Sequence, residues 1–236
     1  LDFSKSYGAG GKMRVELKNI IKTYGDTLAL NIDNISFESG KIYALLGSNG
    51  SGKTTLLRIL SGLDTDFSGE IMYNSNPKIP KDDIAYLPQK PYIFKMSAIK
   101  NICLGANLEI ALDAIKRVGI EKFENVQVTS LSDGEARRVA IARTLATRRS
   151  LILLDEPMAP IDISSFKLIE DFIKYVSNEY NATVIFSTHS PQQALNIADK
   201  AVFLLNGKIA EIGEPNKLFS APKNPMVKEF FKDWRI

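Results

Sequence analysis

A single cysteine, Cys103, leaves no partner for an internal disulfide, and one thiol in a chain of this size points to a reducing compartment, the cytoplasm. No apolar run approaches the roughly 20 residues that cross a bilayer. The longest candidates, 151–154 and 201–205, are strand-sized. No secretory leader is visible. Charge of one sign is also lacking: 30 basic and 27 acidic residues leave a formal charge of +3, which gives little support for a nucleic-acid partner. Internal repeats and low-complexity linkers are absent. What is present is an ordinary globular composition, 44% hydrophobic and 24% charged. Its 236 residues suffice for one large core, at most a main domain with a subdomain. Residues 1–12 begin at Leu1, contain Gly and Ser and show no period, so they are set aside as a tag remnant or disordered leader.

From Met13 onward the pattern is readable. Residues 13–19 alternate as a strand, and 28–37 read as extended. A turn at Ser39-Gly40 leads into a short buried strand at 41–46, then a glycine-rich loop, then a helix at 53–60. Strands follow at 70–73 and 84–87. The period turns helical between Tyr92 and Gly119, and again at 134–146. An apolar strand at 151–154, an amphipathic helix at 164–179, a buried strand at 183–187 and a helix at 192–198 come next. Two strands, 201–205 and 209–212, flank Asn206-Gly207, a strong hairpin turn. The segment from Asn216 reads as helical. Buried strands alternating with helices predict an α/β fold with a mostly parallel sheet. The early extended pieces predict an added antiparallel β subdomain, and residues 91–125 a helical insertion.

Two motifs carry chemistry. Gly47, Ser48, Asn49, Gly50, Ser51, Gly52, Lys53 and Thr54 match G-x-x-x-x-G-K-[ST] in full, between a hydrophobic strand and a helix. Glycines let the backbone close around phosphate oxygens, and loop N–H groups with a helix N-terminus supply positive potential. Lys53 is predicted to reach the β- and γ-phosphates, the Thr54 hydroxyl to ligate Mg²⁺, and Thr55 to line the same nucleotide site. The second motif ends the apolar strand 151–154 with Asp155 and Glu156. Strand ends of this kind face the ligand crevice of α/β sheets. Asp155 is placed to hold Mg²⁺ through water and Glu156 to polarise an attacking water, the division that phosphoryl transfer needs.

Between the motifs lies Leu131-Ser132-Asp133-Gly134-Glu135, followed by Arg137 and Arg138. This resembles the LSGGQ-type signature of the ABC ATPases. The order agrees as well: phosphate loop, Gln89 after a strand, helical insertion, signature, acidic strand, then His189, the one histidine, after a strand. The resemblance covers Met13 to the C-terminus. It implies a P-loop NTPase core in a single domain over 13–236, with a helical subdomain at about 91–147. It implies that Tyr24 stacks on adenine, that Gln89 touches Mg²⁺ or the water, and that His189 contacts the γ-phosphate and helps hold Glu156. It also implies a head-to-tail dimer in which Ser132 and Gly134 reach the partner's ATP and Asp162 lies in the loop crossing the interface. Ser132 with Glu135 three residues on is also a capping box, and the two roles are compatible. Two positions depart from the family pattern: Asp133 replaces the middle glycine of the signature, and Pro160 stands in the interface loop.

The resemblance further implies ATP and Mg²⁺ as cofactors and work done through separate membrane permease subunits, with the chain peripheral on the inner face of the membrane. The segment 89–96, with Tyr92, Ile93, Phe94 and Met96, would receive a permease helix or pack the insertion's own core. The chain ends soon after the core, which resembles compact prokaryotic importer subunits for amino acids or small oxyanions, and QKPYIF is similar to tungstate- or phosphate-type importers. A solute-binding protein would then complete the system. An exporter ATPase and a soluble, non-transport ABC ATPase are the alternatives. An inactive paralogue is disfavoured by the intact Lys53, Asp155, Glu156 and His189.

Overall fold

The structure, a computed structural model, describes residues 11–159 and 161–232. Pro160 and most of the leader lie outside the described residues. Among the described residues, nine strands form two sheets. A six-stranded sheet has the order β5-β6-β7-β3-β8-β9. Here β3 is Ile42–Leu46, β5 Ile84–Leu87, β6 Leu151–Leu154, β7 Thr183–Ser187, β8 Lys200–Leu205 and β9 Lys208–Gly213. All neighbours pair in parallel except β8 and β9, the hairpin around Asn206-Gly207. A three-stranded antiparallel sheet, β2-β1-β4, comprises β1 (Val15–Tyr24), β2 (Thr27–Phe37) and β4 (Ser68–Tyr73).

β3 and β6 are apolar at every position, and β7 between Thr183 and Ser187, because each face of the sheet has a core of its own. Ile42, Ala44, Leu46, Ile152, Leu154, Val184 and Phe186 face one core. Tyr43, Leu45, Leu151, Leu153 and Ile185 face the other, beneath the antiparallel sheet and α1 (Lys53–Leu60). Alternate residues of a strand point to opposite faces, so one short segment serves both layers.

The first core also takes in the helices. α2 (Ala98–Ile102), α3 (Leu108–Arg117) and α4 (Asp133–Leu145) pack on one another, and α4 also meets β5. α5 (Ile163–Tyr180) and α6 (Pro191–Ile197) follow β6 and β7, and α7 (Pro215–Ser220) and α8 (Pro225–Lys232) follow β9. No helix among the described residues is long and apolar enough to cross a membrane.

Two sequence expectations need correction. The strand expected at 13–19 runs on to Tyr24. Its buried positions are Val15 and Leu17, then Ile20 and Lys22, so the alternation slips by one at Asn19. Asn19 has φ +51°, the pairing with β4 shifts between Lys18 and Ile21, and the pattern is that of a β-bulge. The helical reading from Tyr92 to Gly119 also breaks up. Before α2, the buried Asn101 side chain accepts from Phe94 N and donates to the Phe94 carbonyl, holding this stretch off a helical path. Between α2 and α3, a Cβ on Gly105 would lie 3.0 Å from the Arg143 carbonyl oxygen, so the turn approaches α4 too closely for a side chain.

Candidate active site

β3 delivers the chain into the phosphate loop, and the loop is pinned from behind. Gly47 has φ +143°, and a Cβ there would sit 2.2 Å from the Leu204 carbonyl oxygen on β8. Gly52, which starts α1 at φ +104°, would meet the Leu30 side chain at 2.6 Å. No other residue type fits either position. The hairpin turn adds a brace, with Gly207 N donating to the Ser51 carbonyl (3.1 Å) and Asn31 N to the Gly207 carbonyl (2.8 Å). The Lys53 ammonium, buried, donates to the carbonyls of Gly47 (2.8 Å) and Ser48 (2.9 Å). Burial lowers its pKa, and the nearby carboxylates of Glu156 and Asp155 oppose the shift.

The acidic pair sits where β5, β6 and β7 end side by side. Asp155 is 1% exposed. Its Oδ1 accepts from Ser187 Oγ at 2.6 Å, at the end of β7, while Oδ2 is buried without a partner among the described residues. Ser187 Oγ in turn accepts from Glu156 N at 2.8 Å. Glu156 holds φ +46°, the left-handed region that a long side chain rarely adopts. Its Oε2 accepts at 3.2 Å from Nε2 of Gln89, two residues past the end of β5. Ser187 and its double duty carry no sequence signal: a serine after three apolar strand residues reads as a strand end.

Tyr24 ends β1 and is 49% exposed. Its hydroxyl donates to Asp64 Oδ2 at 2.6 Å. Lys22, 3% exposed, pairs with Asp64 at 2.9 Å and lies 4.7 Å from the Tyr24 ring centroid. Partial burial and the Asp64 contact raise the phenol's pKa, and hydrogen bonds from Tyr24 and Lys22 lower that of Asp64. A cavity of about 360 Å³ gathers Tyr24, Asn49, Gly50, Ser51, Gly52, Lys53, Thr54, Thr55, Gln89 and Glu156, with Thr27, Leu28 and Ala29 on its β2 side.

Ser132, Gly134, Asp162 and His189 do not line this cavity. Ser132 caps α4 in the capping box with Glu135: Oγ accepts from Glu135 N (3.3 Å), and Ser132 N donates to Glu135 Oε2 (2.9 Å). Asp162 precedes α5 and accepts from the hydroxyls of Ser164 and Ser165, which lower its pKa. His189 is exposed, and no hydrogen bond joins it to Glu156, whose carboxylate is engaged by Gln89.

The family described as ABC transporter matches residues 30–159, from β2 past the acidic pair. The chain belongs to this family. As an ABC ATPase it binds and hydrolyses ATP on a P-loop NTPase fold. It is 37% identical over 209 residues to the tungstate uptake system ATP-binding protein TupC of Peptoclostridium acidaminophilum, covering 84% of this chain and 98% of that one. It is 31% identical over 236 residues to the sulfate/thiosulfate import ATP-binding protein CysA of Nitrosomonas europaea, covering 92% of this chain but only 65% of the relative's length. The ATP-binding cassette MJ0796, solved as a dimer in a post-hydrolysis state bound to ADP and Pi, superposes with a TM-score of 0.77 at 28% identity. That match covers 85% of this ABC ATPase and 98% of the cassette. A bacterial Atm1-family ABC exporter with ATP bound gives a TM-score of 0.86 over 96% of this chain and 43% of that one. At 22% identity it shows the common fold alone.

Proposed function

We propose that this ABC ATPase powers the import of a small solute, most simply an oxyanion of the tungstate class, through separate membrane permeases and with a solute-binding protein. The observation that carries the catalytic part is the meeting of Tyr24, the phosphate loop and the Gln89–Glu156 pair around one cavity. In this reading residues 13–236 act as one domain with a helical subdomain at about 91–147. Tyr24 stacks on adenine. Lys53 leaves its own loop carbonyls for the β- and γ-phosphates, aided by the loop N–H groups. The Glu156 carboxylate takes the proton of the attacking water, which Gln89 helps orient, and His189 swings in to the γ-phosphate.

Mg²⁺ fits the residues present. No group of three or more His, Cys, Asp or Glu side chains is gathered for a metal among the described residues, which suits an ion that keeps waters and substrate phosphates as ligands. The unpartnered, buried Oδ2 of Asp155 calls for a donor or a hydrated cation, and Thr54, which lines the cavity, offers a hydroxyl. Thr54, Asp155 and Gln89 would hold the ion, which when bound neutralises charge on the phosphates.

Ser132, Gly134 and Asp162 lie away from the cavity because their work is in trans, on the nucleotide of a second copy. The exposed N-terminus of α4 would meet the partner's γ-phosphate there. Tyr92 (70% exposed) and Phe94 stand at an open groove of about 600 Å³ with Leu104 and Arg143, and we assign this groove to a permease helix. Ile93 and Met96 are half-buried and serve the insertion's own packing. The chain then sits peripherally on the inner face of the membrane, with no nucleic-acid partner. The oxyanion reading is supported by the match along nearly the whole length of the tungstate relative.

The test pairs two variants. Glu156→Gln is expected to lower ATP hydrolysis by about a hundredfold or more while ATP binding persists, and to trap an ATP-bound dimer on size exclusion. Lys53→Ala is expected to lose ATP affinity. Hydrolysis by Glu156→Gln at the wild-type rate ends the water-activating assignment. Loss of labelled tungstate uptake on deletion of the gene supports import, whereas lost efflux with retained uptake of every candidate solute overturns it.

A further inference from the structure

Arg137 lies in the second turn of α4, is 3% exposed, and its guanidinium faces no carboxylate closely enough for an ion pair among the described residues. It donates instead to four backbone carbonyls. Nη1 reaches Pro88 (3.1 Å) and Gln89 (2.8 Å), and Nη2 reaches Asp155 (3.0 Å) and Glu156 (2.9 Å). These carbonyls belong to two chain segments, the one leaving β5 and the one leaving β6. A planar fork of donors spans both segments, whereas a lysine ammonium, a point charge on a flexible stem, would not reach all four carbonyls. Nε is buried without a partner among the described residues. A buried cation held by carbonyl dipoles, with the Asp155 and Glu156 carboxylates near but not in ion-pair contact, is a poor device for stability. What it does achieve is geometric: it fixes the backbone of Glu156 in its left-handed conformation, beside the backbone of Gln89.

We propose that Arg137 is a positioning residue that clamps the Gln89 and Glu156 backbones in register with each other and with the signature helix. The inference rests on the reading of Glu156 and Gln89 as the water-orienting pair. It adds that their alignment depends on α4 being seated. Since Ser132 caps the same helix, displacement of the α4 N-terminus is transmitted through Arg137 to the site of hydrolysis in the same chain.

The test uses the full chain. Arg137→Ala and Arg137→Lys are each expected to lower kcat by about ten- to a hundredfold, the scale of a small misplacement of reacting groups. KM for ATP and the affinity for a fluorescent ATP analogue are expected to stay within about twofold, since the phosphate loop is untouched. Amide exchange is expected to quicken in stretches 87–91 and 154–158 of both variants. Val139→Ala, buried in the same helix, serves as the destabilised control; it is expected to lower Tm without quickening those two stretches or changing kcat beyond about twofold. Full rescue by lysine, unchanged exchange at both stretches, or a kcat loss that merely tracks Tm as in Val139→Ala overturns the clamp. Glu156→Gln measured alongside separates the two claims. If it is inactive while Arg137→Ala hydrolyses normally, the clamp alone fails. If it is active, the catalytic reading fails, and exchange at the two stretches decides the clamp.

Discussion

If Tyr24 stacks on adenine as proposed, its ring is oriented before the ligand arrives. A half-exposed ring is free to stack, but a free ring must also be ordered on binding. Here the ordering is done in advance by the hydroxyl contact to Asp64 and by Lys22 over the ring. Base–aromatic stacking contributes about 1–3 kcal/mol, so Tyr24→Ala is expected to weaken ATP binding roughly ten- to a hundredfold. Tyr24→Phe keeps the ring and loses only the tether, and its affinity is expected to lie within about threefold of wild type. Titration with a fluorescent ATP analogue reads both, and wild-type affinity in Tyr24→Ala would remove the residue from the adenine site. The residues of the phosphate loop are legible from sequence because consecutive positions with fixed spacing build it. Gln89 and Glu156 are legible as types and as strand ends, but their hydrogen bond joins residues 67 positions apart. Arg137 reads only as a basic helix residue, since nothing local marks a side chain that turns inward to four carbonyls.

At the scale of elements, β1 is coupled to the segment after α1 through Lys22, Asp64 and Asp66. The sign of the pH dependence follows from the shifts. Asp64 has a folded pKa below its ordinary value, chiefly through the Tyr24 and Lys22 hydrogen bonds, so its contribution is present in full above the unfolded pKa of about 3.9 and is lost as pH falls through the folded value. Lys22 has a raised pKa, chiefly through its hydrogen bond to Asp64, so its part is lost only as pH rises above about 10.4. Asp64→Asn is therefore expected to shift the urea midpoint downward by a similar amount from about pH 5 to pH 9, and by a shrinking amount below about pH 4. A shift that is equally large at pH 3 would remove the ion pair as its cause. The elements themselves are largely written in the periodicity. The slip at Asn19 hides half of β1 because a bulge reverses which residues face inward, and the loop at 92–97 escapes because Asn101 bonds its backbone across a gap that no local period records.

At the scale of the whole molecule, one cavity joins the antiparallel sheet, through Tyr24 and β2, to the parallel sheet, through the phosphate loop and the strand-end pair. Ligand binding should therefore stabilise the entire fold. At about a hundred times Kd, ATP is expected to add about 2.7 kcal/mol and to raise Tm by about 5–10 °C. Lys53→Ala is expected to lose that rise in a thermal scan, and a full rise in the variant would place the nucleotide elsewhere. The ordered motifs determine by themselves the fold class, the phosphate loop and the two carboxylates, because each is a short run whose chemistry depends on neighbours in the chain. Tertiary structure alone decides that Tyr24 faces the same cavity, that Ser187 bridges Asp155 and Glu156, and that Arg137 ties two strand ends to one helix. Those are contacts between distant segments, and only the packing of sheet on sheet and helix on sheet brings them within hydrogen-bond reach.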